Sequence, residues 1–304
     1  MRAASHARSR PYRSAALVAL VTGSLGAAGC GNPVTAIPDA AISDAAPDAV
    51  DLDLQVPGRS GVDRPDDDPA PQVHVLYVVA ADGLDRRLDI DGTLARTVAA
   101  WNGWLAGQTG GTRLRLDTAG GALDVTFARL PSTSAQLSAE GPYIRDRIER
   151  ELAGKGLIKP TKLAAVYYDS PAPLSCGGGP WPPVLVGKVA ALYLRGAPLG
   201  APTCDSNPLS PDGVATGYLE FAMRHEVFHA LGGAPACAPS HTMAGHVSDS
   251  PTDLMYAGAE AWRPSVLDVN HDDYWGHGRI DCLDLARSAL LAPTPATPVL
   301  PAGW

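Results

Sequence analysis

Between residues 73 and 231 the chain alternates between apolar runs and stretches with apolar residues at helical spacing. Val73 to Ala80 (VHVLYVVA) is rich in β-branched residues and nearly unbroken in apolarity, the pattern of a buried strand. Thr93 to Leu105 places Leu94, Val98, Trp101 and Leu105 on one helical face. Arg113–Leu116 and Leu123–Ala128 read as short strands joined through Gly120-Gly121. Ser138 to Leu152 reads as an amphipathic helix with Ile144, Ile148 and Leu152 along one side. Lys162–Tyr168 and Val189–Leu194 are two further strands, with Cys176-Gly177-Gly178-Gly179 in the loop between them, and Gly217–Leu231 is the last strong helix. Beyond it Gly, Pro and Asp interrupt every period. The order β-α-β-β-α-β-β-α predicts an α/β (α+β) domain over residues 72–291, with a mixed sheet and an irregular C-terminal lobe.

The first 71 residues follow other rules. Arg2, Arg8, Arg10 and Arg13 precede an apolar run from Ala15 to Ala28, shorter than the ~20 residues a membrane-spanning helix needs. This is the pattern of a secretory signal over 1–29. Its end, Leu25-Gly26-Ala27-Ala28-Gly29-Cys30, resembles a bacterial lipobox, which implies lipidation of Cys30 and attachment to a bacterial membrane through that lipid only. Residues 30–71 are rich in Asp, Pro and Ala and read as a disordered tether. The Pro-rich stretch 292–304 reads as a surface tail.

Charge and cysteines narrow the function. The net charge of −8 divides into +4 over residues 1–30, −7 over 31–70 and −5 over the remainder. No region after the leader carries the basic surplus of a nucleic-acid footprint. Export leaves Cys176, Cys204, Cys237 and Cys282 as an even set in an oxidising compartment, so two disulfides are expected. Three connectivities are open, and Cys176–Cys204 with Cys237–Cys282 is preferred because each pair would staple one loop region.

Six of the eight histidines lie between 225 and 277. The sharpest pattern is His225-Glu226-Val227-Phe228-His229, within the predicted helix. Residues four apart on a helix differ by about 40° in azimuth, so both imidazoles can address one metal while Glu226 faces a water beside it. Chance placement of 8 His and 6 Glu gives roughly 0.004 such matches per chain of this length. Gly232 is a natural stop for the helix.

HExxH through Gly232, together with Asp253-Leu254-Met255-Tyr256-Ala257-Gly258 downstream, resembles the zincin metallopeptidases and in particular their metzincin branch. That branch has HExxHxxGxxH and a tight turn containing Met; here the third His position is Pro235. The resemblance implies a zinc ion, Glu226 as general base, Met255 as an apolar floor under the metal, and a third ligand from elsewhere. His246 is the first choice for that ligand, with Asp249 and His241 as alternatives. Asp249 has the spacing of the acidic ligand in the thermolysin-like branch, but Pro251 and the surrounding Ser and Thr argue against the helix that branch requires. Tyr256, beside Met255, is a candidate hydrogen-bond donor to an oxyanion.

Weaker signals remain. Asp268, Asn270 and Asp272 alternate as in a calcium loop, but Asp273 and Arg279 stand where an EF-hand needs Gly and Glu, leaving calcium weakly supported. Asp85, Asp89 and Asp91 read as turn and capping residues before the helix at Thr93, and His271 and His277 as surface or supporting histidines. The expectation is a monomeric zinc endopeptidase acting on proteins or peptides outside the cytoplasm. Its rivals are a catalytically inactive binding or adhesion lipoprotein on the same scaffold and a zinc hydrolase of non-peptide amides.

Overall fold

The computed structural model describes residues 57–180 and 186–304. The signal segment, Cys30 and the tether up to residue 56 lie outside the described residues. The central sheet begins with β1 (Gln72–Val79), whose eight residues are all buried. Its nearly unbroken apolarity, interrupted by Gln72 and His74, follows from having both faces covered. α1 (Thr93–Thr109) comes next, then the short strands β2 (Arg113–Leu114), β3 (Thr118–Ala119) and β4 (Ala122–Leu123), and β5 (Val125–Arg129). α2 (Ser134–Ser138) and α3 (Ile144–Gly154) precede β6 (Lys162–Leu174), β7 (Gly177–Gly178) and β8 (Val189–Pro198). The site helix α4 (Tyr218–Leu231) is followed by β9 (His241–Thr242), β10 (His246–Val247) and, near the C-terminus, β11 (Leu291–Ala292).

Five strands form one sheet in the order β5-β1-β6-β8-β7. β1, β5, β6 and β8 are parallel, and β7 runs antiparallel along β8 at the edge. One face packs against α1 and α4 through Val75, Tyr77, Trp101, Val227 and Phe228, and the other against α3 through Leu76, Val78, Ile148 and Leu152. Fully burying each such side chain contributes about 1.5–3 kcal/mol. The expected α+β class, with its mixed sheet, site-bearing helix and irregular lobe, is the architecture observed.

Several expected boundaries move for local reasons. The single helix read over 138–152 is two, because Gly141 takes φ 58° and Pro142 follows it. α2 is capped instead by Thr133, whose hydroxyl accepts from the Gln136 amide. β6 continues past Tyr168 through Pro171 and Pro173, and its ladder with β8 shifts register at that point. Asp91 accepts from the Thr93 amide at the start of α1, but Asp85 and Asp89 clamp Arg59 instead.

Arg59 belongs to the stretch counted as tether, and residues 57–71 are a correction to that reading. Ser60 bridges to Thr126, Arg64 pairs with Asp124, and Asp67 accepts from the amides of Gly120 and Gly121. Asp63 and Asp66 lie 2.7 and 2.6 Å from Lys162 Nζ, which also meets Asp117 at 2.6 Å. Burial opposes the Lys162 charge, yet these carboxylates hold its ammonium above the usual lysine range. The like charges that suggest a solvated segment are therefore partners for cations on the sheet. The C-terminal tail is also engaged: β11 pairs with β2, Ser288 bridges to Val299, and Pro301 is buried.

The chain carries the disulfides Cys176–Cys204 and Cys237–Cys282. Each staples one loop region, the first just before β7 and the second across the irregular lobe.

Candidate metal centre

α4 starts where Glu220 reaches back to the Gly217 amide at 2.9 Å while its other oxygen accepts from Ser210 at 2.7 Å. Glu220 and Arg224 are both fully buried, and Arg224 stacks on Trp104 at 4.2 Å. One turn further, His225 and His229 share a face. The helix ends at Gly232 and Gly233, and the Ala234 amide donates to the Gly245 carbonyl at 2.8 Å. A Cβ on Gly233 would lie 2.9 Å from that carbonyl oxygen, so the two backbones can meet only without a side chain there. The reversal carries the next residue, His246, to the helix end.

The Nε2 atoms of His225, His229 and His246 lie 3.0, 3.1 and 3.2 Å apart. The Nδ1 of His225 faces the Leu254 carbonyl at 2.7 Å, and that of His246 faces the Met243 carbonyl at 2.9 Å. A carbonyl only accepts, so each Nδ1 carries the proton and each Nε2 offers a lone pair to the same point. Burial, reinforced by neighbouring imidazoles, pushes His225 down to about 3 and His229 well below the usual histidine range. Burial also lowers His246. Two lone pairs thus converge beside the Nε2 of a third neutral imidazole, His229, an arrangement that a cation between the three would satisfy. Tetrahedral zinc with bonds of about 2.0–2.1 Å spaces its nitrogens by about 3.3–3.4 Å, close to the separations here, so the donor set fits zinc.

The other candidates lie elsewhere. His241 donates from Nδ1 to the Ala234 carbonyl, 3.0 Å away. Asp249 is exposed and does not belong to the group formed by His225, His229 and His246. Met255 is fully buried in the main core. Its turn serves two of the three histidines at once: Leu254 orients His225, and the Val247 amide donates to the Met255 carbonyl at 3.0 Å, fixing the strand that bears His246. Tyr256 lines the cavity, and its hydroxyl accepts the Glu260 amide at 3.1 Å. His277 donates to the Leu283 carbonyl, and His271 is exposed.

Glu226 lies against β7. An added Cβ at Gly177 would stand 2.3 Å from Glu226 Oε1, and one at Gly179 would stand 2.4 Å from His229 Cβ. Burial pushes the Glu226 carboxyl up to about 8, against the Gly179 amide and the Arg145 charge, which favour its ionised form. Two adjoining cavities of about 230 and 270 Å³ share Ser175, Gly177, His225, Glu226 and His246. Tyr218, Tyr256 and Trp262 wall the first; Pro142, Ile144, Leu174 and Tyr193 wall the second. Sequence reasoning missed Tyr218, although it lies seven residues before His225 and so shares its helical face. Trp262 and the β7 glycines carried no such signal.

No protein-family profile and no curated protein sequence matches the chain. Among solved structures, wild-type OgpA from Akkermansia muciniphila is similar in two crystal forms. One has a TM-score of 0.33 at 17% identity, covering 60% of this chain and 55% of that one. The other has a TM-score of 0.36 at 15% identity, covering 70% and 62%. A catalytically inactive OgpA in complex with an O-glycopeptide (glycodrosocin) substrate matches with a TM-score of 0.30 at 13% identity, over 59% and 52%. The chain thus spans between half and two thirds of the proteins it matches. Likeness at this level is weak, and the functional reading rests on the site's own geometry.

Proposed function

We propose that the protein is a zinc-dependent endopeptidase acting on proteins or peptides outside the cytoplasm. The observation that carries this reading is the convergence of three imidazole Nε2 atoms beside the Glu226 carboxyl, at a place where two cavities meet. His225, His229 and His246 would hold the zinc. A zinc ion there would supply Lewis acidity, making water acidic enough to ionise near neutral pH and polarising a carbonyl. Glu226 takes the proton of the attacking water and delivers it to the departing amine. Leu254 and Met243 hold two of the imidazoles in the ligating tautomer. Tyr256, already accepting the Glu260 amide, keeps its own proton for the oxyanion. A cavity on either side accommodates residues flanking the scissile bond, and among the described residues Glu226 is the acidic side chain lining them, with no lysine or arginine. Nothing among the described lining residues would capture a free chain terminus, which favours cleavage within a chain.

Export and lipid attachment at Cys30 belong to the same proposal, supported by two disulfides suited to an oxidising compartment. The test is the zinc content of the purified full chain together with hydrolysis of a peptide library. About one zinc per chain, lost in His229→Ala, with cleavage abolished but zinc retained in Glu226→Gln, is the expected result. Full turnover by Glu226→Gln would remove its role as base. Absence of both zinc and cleavage would instead favour the inactive binding scaffold.

A further inference from the structure

The acidic residues that sequence spacing hinted at come together differently from an EF-hand. Asn270 is exposed, while Asp268, Asp272 and Asp273 each bring a carboxylate oxygen within 4.8 Å of the others. Asn270 and His271 take φ of 65° and 54°, and this tight fold returns the chain so that Asp272 and Asp273 meet Asp268.

The oxygens divide into two sets. Asp268 Oδ2 accepts from the amides of Tyr274 and Trp275 at 2.9 and 2.6 Å, and Asp273 Oδ1 accepts from the Ser240 amide at 2.7 Å. Asp268 Oδ1, Asp272 Oδ1 and Asp273 Oδ2 are buried without any hydrogen-bond partner. Asp268 and Asp273 are fully buried as whole residues. Among the described residues no lysine, arginine or histidine forms an ion pair with any of the three. Unpaired buried carboxylate oxygens are costly, and three facing one another are more so. Without a cation the remedy is protonation: burial, reinforced by the Asp273 charge, pushes Asp268 up to about 6.

A comparison within the same molecule sharpens this. Asp63, His74, Asp117 and Asp124 also cluster, but Lys162 and Arg64 already occupy that centre. No such occupant serves Asp268, Asp272 and Asp273. Their donors are all carboxylate oxygens, hard ligands that suit calcium and do not select zinc. Water can complete a coordination number of six to eight.

We propose that Asp268, Asp272 and Asp273 form a calcium site that fastens the loop 268–275 to the segment bearing His246. The fastening reaches the metal centre from two sides. Ser240, bound to Asp273, immediately precedes β9, the pairing partner of β10. Val269 and Tyr274 donate to Asp253 at 2.9 and 2.8 Å, beside the Leu254 carbonyl that orients His225.

The test is titration of calcium chloride into the full chain stripped of metal, with the melting temperature as readout. Terbium luminescence sensitised by Trp275, whose amide already binds Asp268, is the second readout. At calcium a hundredfold above its Kd, the expected rise is about 5–10 °C. Asp273→Asn and Asp272→Asn should each lose most of it. Asp272 is only half-buried, so Asp272→Asn decides the matter if Asp273→Asn does not fold. His229→Ala should show the same calcium shift as the unaltered chain, which separates this site from the zinc reading. No calcium shift and no terbium emission in the unaltered chain, or an undiminished response in Asp272→Asn, would overturn the proposal.

Discussion

At the scale of single residues, Gly177 shows how much a missing methyl group controls. Its Cα faces the Glu226 carboxylate so closely that a Cβ would stand 2.3 Å from Oε1. Gly177→Ala must therefore displace the carboxylate by about an ångström, for which a loss of roughly a hundredfold in kcat is expected. The three proposed zinc ligands are not among the atoms a Cβ there would meet, so zinc content should be unchanged. Parallel metal analysis and peptide kinetics check this, and wild-type turnover would show that Glu226 has room to move. His225, Glu226 and His229 are legible in sequence because one helix fixes their relation. Gly177 is not legible, since its constraint comes from a helix about fifty residues away. His246 stands between these cases: its residue type and position after Gly245 suggested it, but only the meeting of Gly233 and Gly245 brings it to the helix.

At the scale of elements, the Met-containing turn is tied to its surroundings through Asp253. This buried carboxylate accepts from Met255, Val269 and Tyr274, yet burial outweighs those bonds and pushes it up to about 7. A carboxyl raised above its unfolded value near 3.8 stabilises the fold fully below about pH 4, and that contribution disappears as pH rises through 7. Metal-free protein should lose on the order of a few kcal/mol across that window, measured by urea unfolding at several pH values. Asp253→Asn should be less stable overall, because its amide would face the Val269 N–H, but its pH slope should be flatter. An equal slope in both proteins would assign the dependence elsewhere. The same scale shows where periodicity misleads. Proline content shortens the reading of β6 because proline removes ladder donors, whereas the register shift at Tyr168/Pro171 lets the strand continue. The break between α2 and α3 was readable in Gly141-Pro142, and the apolar spacing on either side concealed it.

At the scale of the whole molecule, the segment 57–71 is bound to the domain by ion pairs with cations far along the chain. Composition could not disclose this, because an Asp-rich stretch reads the same whether it meets water or Lys162. Arg59, clamped by Asp85 and Asp89, stands only 29 residues after Cys30 in the sequence. Mass spectrometry of the mature chain from the membrane fraction should find a lipid-sized increment on Cys30, and Cys30→Ser should move the protein to the soluble fraction. An unmodified Cys30 would leave export without an anchor. The disulfides act at this scale as well. By chain-entropy reasoning, closing separations of 28 and 45 residues contributes about 3.6 and 4 kcal/mol, and the longer one encloses the segment that delivers His246.

The backbone contact between Ala234 and Gly245 has a consequence for how such a site can vary between proteins. The loop from Pro235 to Ala244 is closed at its base by that bond and tied along its length by the Cys237–Cys282 disulfide, by the Ser240 amide on Asp273 and by β9 against β10, while His246 is placed by the base and by β10. Residues added or removed between those ties would leave the imidazole geometry unchanged, because the base and β10 set it. A signature written with a constant number of residues between its second and third histidines treats an adjustable hairpin as a ruler, and it passes over chains that reach the same arrangement by a longer route.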